Sequence, residues 1–186
     1  CNRRGRIYPC RGTFGKSRRG ELAQSYAIGN VTTTSGIVGG LVGSCYGNIV
    51  NSYASGGVTS SSPTASGGLA GGTYGADIQK SYATGQVSGS SSAGLIGYYE
   101  YDEINNTYWA TDSTGQTELN DSGPSVSLID NAGVLLSDLW CPTSANDTDC
   151  LPDVTLFEDW DDTYVNDQGE TVAVWDFGTS SQLPAL

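Results

Sequence analysis

Three segments of the chain begin in the same way: Ser25-Tyr26-Ala27-Ile28-Gly29-Asn30-Val31, Ser52-Tyr53-Ala54-Ser55-Gly56-Gly57-Val58 and Ser81-Tyr82-Ala83-Thr84-Gly85-Gln86-Val87. Each is followed by an apolar pair held between glycines: Gly40-Leu41-Val42-Gly43, Gly68-Leu69-Ala70-Gly71 and Gly94-Leu95-Ile96-Gly97. Each unit then closes on an isoleucine, Ile49, Ile78 or Ile104, shortly before the next Ser or Thr. A unit of about 27 residues with strand-like content is the mark of a solenoid, in which each turn of chain stacks on the one before it. One turn cannot bury its apolar face alone, so the repeat constrains the architecture before any single residue does.

Within a unit the small or aliphatic residues alternate with larger polar ones: Ser81, Ala83, Gly85 and Val87 on one parity, Tyr82, Thr84 and Gln86 on the other. Alternation sends one set inward and the other outward. A narrow coil interior takes the small set, which leaves the tyrosines outside. Stacked turns lie about 4.8 Å apart, so Tyr26, Tyr53, Tyr82 and Tyr108 are expected to form an outward aromatic ladder. Ile49, Ile78 and Ile104 make one inward ladder, and Leu41, Leu69 and Leu95 another. Gly12-Thr13-Phe14-Gly15 and Leu22-Ala23-Gln24-Ser25 fit the same template, giving about four coils.

The period fails at Thr107-Tyr108-Trp109, where Trp replaces the Ala of earlier units, and Asp, Leu and Trp dominate from residue 117. The expected fold is all-β: a right-handed parallel β-helix, or β-solenoid, of about four coils with a C-terminal cap or small β-rich subdomain. Residues 1–11 form a basic N-terminal segment, 12–116 the repeats, and 117–186 the acidic, Trp-containing cap. Such a cap would close a coil end that otherwise exposes unpaired backbone.

At Gly39-Gly40-Leu41-Val42-Gly43, at Ser81 to Val87, and at Thr107-Tyr108-Trp109 with Gly115-Gln116, the chain resembles the GLUG-motif repeats of bacterial surface proteins. The closing Val174-Trp175-Asp176-Phe177-Gly178 to Leu186 is similar to the segment that often ends such arrays. The resemblance implies a secreted or cell-surface protein of adhesin type. Such repeats also accompany IgA-cleaving metallopeptidases as non-catalytic regions. This chain has no His, so it carries no H-E-x-x-H zinc motif.

Charge is split along the chain. Seven of the eight basic residues (Arg3, Arg4, Arg6, Arg11, Lys16, Arg18, Arg19) fall in the first 20 positions, and all 20 acidic residues follow. An acidic body repels phosphate, which argues against nucleic acid as a partner. It leaves copies of itself or other surface proteins, drawn head to tail, and glycans. No apolar run approaches the ~18 residues of a membrane span. The absence of Met and the start at Cys1 suggest a processed or trimmed chain. The five cysteines point to an oxidising, extracellular or cell-surface compartment. Cys141 with Cys150, and Cys1 with Cys10, are the expected disulfides. Cys45 is left over as a free thiol or a link to another chain.

Without His, Ser-His-Asp and Cys-His catalysis fall away. Paired carboxylates remain for glycoside hydrolysis, at Glu100, Asp102 and Glu103 or at Glu158, Asp159, Asp161 and Asp162. Surface acidity is the plainer account of them. Calcium, which takes about six to eight oxygens on irregular loops, is a second use for Asp147, Asp149, Asp153, Asp159, Asp161 and Asp162. No other cofactor is implied. The expectation is a non-enzymatic extracellular structural or adhesive module. The alternatives are a subunit of an extracellular filament, stacked head to tail, and a carbohydrate-binding or carbohydrate-active β-helix.

Overall fold

The computed structural model describes residues 20–61, 63–122, 128–151 and 153–186. The chain winds through four parallel sheets in turn and returns to the first after each coil. The first sheet stacks Glu21–Ala27, Asn48–Ala54, Asp77–Ala83 and Glu103–Ala110, and both Leu128–Ile129 and Ala132–Val134 add to its last strand. The second holds Val31–Thr33, Val58–Ser60 and Val87–Ser88. The third holds Val38–Gly39, Ser66–Gly67 and Ser92–Ala93. The fourth holds Val42–Cys45, Ala70–Tyr74, Ile96–Glu100 and Asn120–Ser122. The result is a parallel β-solenoid of about four turns.

Register places like on like. Tyr26 pairs with Tyr53 and Tyr53 with Tyr82; Ile49 pairs with Ile78 and Ile78 with Ile104. The isoleucines are fully buried, with Leu69, Leu95, Ala54 and Ala83 in the same core, and Leu41 packs against it half-buried. Burying one such aliphatic side chain contributes about 1.5–3 kcal/mol. One glycine column sets how closely the turns approach. A Cβ on Gly68 would lie 2.2 Å from the Gly94 carbonyl oxygen, and one on Gly40 2.2 Å from that of Gly68.

The stack runs past residue 116, where the sequence suggested it would stop. Leu119 joins the leucine ladder by accepting the N–H groups of Leu95 and Ile96. Trp109 does not end the coil; it fills the interior. Its ring lies over Gly94 and Gly133, and a Cβ on either glycine would strike it at 2.1 or 2.6 Å. Two glycines replace the side chains that a large ring would otherwise displace. The short helix Thr111–Thr114 replaces the second-sheet strand of this turn. Ser113 Oγ of the helix donates to Thr84 O (2.7 Å), just ahead of the second sheet's last strand, and Gln116 Nε2, beyond the helix, donates to Val87 O in that strand (3.0 Å).

Each long strand of the first sheet bends in its middle. Gln24, Asn51, Lys80 and Asn106 all adopt φ between 45° and 52°, a left-handed conformation that side chains other than Gly, Asn and Asp seldom take. The serine or threonine that follows each bend carries the side-chain bonds of the column. Ser52 Oγ accepts Ser25 N–H (3.2 Å) and donates to Val50 O (2.9 Å). Ser81 Oγ accepts Ser52 N–H (3.2 Å) and donates to Gln79 O (2.8 Å). The column ends at Asn131, whose Oδ1 accepts both the N–H (3.0 Å) and the hydroxyl of Thr107.

Residues 135–186 form the acidic subdomain, with the helix Leu136–Trp140 and an antiparallel hairpin, Thr163–Val165 with Thr171–Ala173. Of the two alternatives, a cap or a small subdomain, it takes the form of the second. It lies along the flank of the first sheet, over the tyrosines, and encloses a second core of Tyr82, Tyr108, Leu139, Leu156, Phe157, Trp160, Trp175 and Phe177.

Candidate functional site

On the tyrosine flank, repeat and subdomain both contribute chemistry. Tyr26 and Tyr53 stack at 5.1 Å and 7°, Tyr53 and Tyr82 at 4.9 Å and 1°. The rings therefore present their faces to one another along the solenoid axis and only their edges outward. A sugar stacks on a ring face, so the interior of this ladder offers it none. Tyr108 follows Tyr82 in register, but its ring turns to Phe157 (5.2 Å) and Trp160 (5.8 Å). Tyr82 and Tyr108 are fully buried, and Tyr26 and Tyr53 half-buried. The ladder lies on the outer face of the coil, and two of its rungs are covered by the subdomain.

Burial lifts the Tyr82 phenol well above its usual range, with Tyr53 adding to the effect. It pushes Tyr108 up to about 12, against the opposing backbone hydrogen bonds of Glu158 and Phe157. Both act as neutral hydroxyls. Tyr82 donates to Pro184 O at 2.7 Å. Tyr108 donates to Thr155 O (3.3 Å) and accepts Phe157 N–H (3.0 Å).

The left-handed column beside the ladder supplies the polar half of the clasp. Asp162 accepts Asn51 Nδ2 (3.0 Å) and Lys80 Nζ (2.9 Å), joining two successive turns through one carboxylate. Burial raises its pKa, but the hydrogen bonds from Lys80 and Asn51, with the charge of Lys80, outweigh that and hold it below the usual range. Asn51 Oδ1 accepts Trp175 Nε1 (3.0 Å), and the carbonyl of Asn106 accepts Trp160 Nε1 (3.2 Å). The sequence carried little sign of this column, because Gln, Asn, Lys and Asn share no chemistry. They share only a backbone angle.

Asp102 is buried and accepts the Thr73 hydroxyl and Ala76 N–H (2.8 Å), closing the corner of the turn below. Burial raises its pKa against the opposing hydrogen bonds of Thr73, Ala76 and Gly75. Glu100 is half-buried and Glu103 exposed on the same corner. Asp147 accepts the N–H groups of Asp149 (3.1 Å) and Cys150 (2.9 Å) within its own loop. Asp149, Asp153, Asp159 and Asp161 are exposed, and Glu158 is half-buried. Among the described residues no three carboxylate, thiol or imidazole groups gather as a metal set.

Cys141 and Cys150 are disulfide-bonded, as their spacing suggested. Cys45 is also disulfide-bonded, which corrects its reading as a free thiol or a link between chains. Cys45 lies buried at the corner between two sheets. The proposed pairing of Cys1 with Cys10, the basic residues 1–11 and the degenerate Gly12–Gly15 box lie outside the described residues.

A second aromatic row escaped the sequence reading. On the fourth-sheet side Tyr46 stacks on Tyr74 at 4.7 Å, and Tyr74 meets Tyr98 at 5.7 Å with a 46° tilt. Tyr46 and Tyr74 hold like places in their turns, but Tyr98 stands opposite Gly72. No fixed period marks the row.

Residues 62–88 match the family model described as the GLUG motif. That stretch is one turn of the solenoid, counted from the third sheet round to the second. It confirms on one whole coil the resemblance carried by the repeat. Comparison with the curated proteins and with the solved structures gave no match.

Proposed function

We propose that this chain is a non-enzymatic, extracellular structural and adhesive module of a bacterial surface: a short, stiff solenoid that holds a binding face at a fixed distance and orientation. The observation that supports the reading is the clasp. The side chains that could have formed an open site on the first sheet are used to bind the chain to itself. Tyrosine faces meet tyrosine faces, Asp162 ties two turns together, and a tryptophan-rich core locks the subdomain to the flank. Rigidity over adaptability is what a spacer needs and what a catalytic cleft with moving parts does not. Two disulfide-bonded sites fit an oxidising compartment.

The filament reading carries less weight. Gln116, Ser113 and Asn131 occupy strand-edge groups at the far end of the stack. Cys45 is already bonded. Glycoside hydrolysis would require Asp102 to work from beneath the corner that it holds closed. No helix among the described residues is long and apolar enough to cross a membrane.

The test is antibody labelling of intact and permeabilised source cells, with retention of fluorescently labelled protein on glycan-coated surfaces. Labelling of intact cells with retention is the expected result. Labelling that appears only after permeabilisation would overturn the proposal.

A further inference from the structure

The polar column Gln24–Asn51–Lys80 has an unused end. Asn51 and Lys80 are held by the subdomain through Asp162 and Trp175. Gln24 occupies the same place one turn earlier, with the same left-handed φ. Among the described residues its amide has no hydrogen-bond partner. There the subdomain and the solenoid part, leaving a cleft of about 210 Å³ lined by Gln24, Tyr164, Val172, Val174, Asp176 and Leu186.

We propose that this cleft binds a single ring of a neutral sugar, a hexose or an N-acetylhexosamine at the end of a glycan. This rests on the adhesive reading above and names its ligand. The lining has the three elements that a pyranose needs. The Gln24 amide offers one donor group and one acceptor to neighbouring hydroxyls. Tyr164, on the hairpin strand and part exposed, offers an aromatic face for the sugar's C–H surface. Val172, Val174 and Leu186 give an apolar floor, and Asp176 adds a carboxylate acceptor, one oxygen of which takes Gly178 N–H at 2.9 Å.

The charge decides among sugars. Lys80, the one cation in the sequence beyond residue 20, is tied to Asp162, and the surrounding body is strongly acidic. A sialic or uronic acid would meet repulsion from that body, with no free cation among the described residues to offset it. Size decides the length bound. The cleft is smaller than the ~300–1,000 Å³ of sites that enclose drug-sized ligands, so it takes one ring rather than a chain. A small, shallow contact binds weakly, with a Kd of about 1 mM, and adhesion would arise from many copies acting together.

The experiment is saturation-transfer NMR of the whole chain with glucose, galactose and N-acetylglucosamine, on the wild type, Gln24→Gly and Tyr164→Ala. Glycine tolerates the left-handed angle at position 24, and circular dichroism checks that both variants keep the fold. At least one sugar is expected to bind saturably, and at least tenfold more weakly in each variant. No binding of any of the three by the wild type overturns the site, and so does equal binding by the variants. Retention on glycan-coated surfaces separates the two proposals. Wild-type retention that persists in both variants rejects the cleft while the adhesive reading stands. Loss of retention in the wild type rejects the adhesive reading itself.

Discussion

Replacing Ser81 with Ala should destabilise the protein far more than replacing Ser25, although both open the same repeated tripeptide. Ser81 Oγ is wholly buried and holds two partners: it accepts Ser52 N–H at 3.2 Å and donates to Gln79 O at 2.8 Å. Alanine removes the acceptor and leaves a buried N–H in the solenoid wall with no water to replace it. An orphaned buried donor costs about 1–3 kcal/mol, and the lost hydroxyl–carbonyl bond about 1 kcal/mol more. The expected loss is therefore about 2–4 kcal/mol, or a thermal midpoint lowered by roughly 5–15 °C for a chain of this length. Ser25 is half-buried; its Oγ donates to Ala23 O at 2.9 Å and, among the described residues, accepts no N–H. Ser25→Ala should cost about 1 kcal/mol or less. Ser81→Thr should recover most of the loss, because Thr107 fills the same column one turn on. Guanidinium unfolding followed by circular dichroism reads all three. A Ser81→Ala protein within about 0.5 kcal/mol of wild type would refute the reasoning, and so would a Ser25→Ala protein as damaged as Ser81→Ala.

Gly68→Ala places a Cβ 2.2 Å from the Gly94 carbonyl and 2.8 Å from Ala83 Cβ; forcing two turns apart should cost about 3 kcal/mol or more. Gly29→Ala meets nothing within 4 Å and serves as the control in the same melts. The Lys80–Asp162 pair should show in acid: the folded pKa of Asp162 is lowered, so its stabilisation is complete above the ordinary carboxylate range and fades as pH falls through the lowered value. Because the Asp162 side chain is 38% exposed, solvent screening limits the effect to about 0.5–1 kcal/mol at neutral pH. The wild-type advantage over Asp162→Asn, measured by urea titration, should vanish at the acid end. Tyr101, 83% exposed at φ 60°, stands where the turn before has Gly75 at φ 58°. Tyr101→Gly should relieve about 1 kcal/mol of backbone strain, less the entropy that glycine adds to the unfolded chain. A thermal midpoint that drops instead would disprove the strain.

The coil was legible because parallel, in-register stacking puts the same demand on the same position in every turn. Ile49, Ile78 and Ile104 recur for that reason, and so do the glycines whose carbonyls meet across turns. The serines were read as small inward residues, but their hydrogen-bonding job was not, since a hydroxyl's partner does not show in its spacing. The docking of residues 135–186 on the flank was hidden for another reason. A tyrosine that points out of a coil looks the same whether water or a tryptophan covers it. The end of the stack was misjudged because Trp109 looked too large for its place, and the space it needs comes from Gly94 and from Gly133, 24 residues downstream. The cleft at Gln24 had no signature at all: its lining comes from positions 24 to 186 and shares no motif.

A free stack of repeats behaves under tension like a spring. Each turn touches only its neighbours, so the end coil peels away first and the rest follow in sequence. The subdomain here runs beside the stack as a splint. It is fastened to Asn51 in the second turn, to Lys80 and Tyr82 in the third, and to Asn106 and Tyr108 in the fourth. Load applied along the axis passes into the splint and is shared among all these fastenings. No turn in that span can part before the tryptophan core does. Under shear the molecule would break as one link, at a force set by the whole flank rather than by its weakest coil.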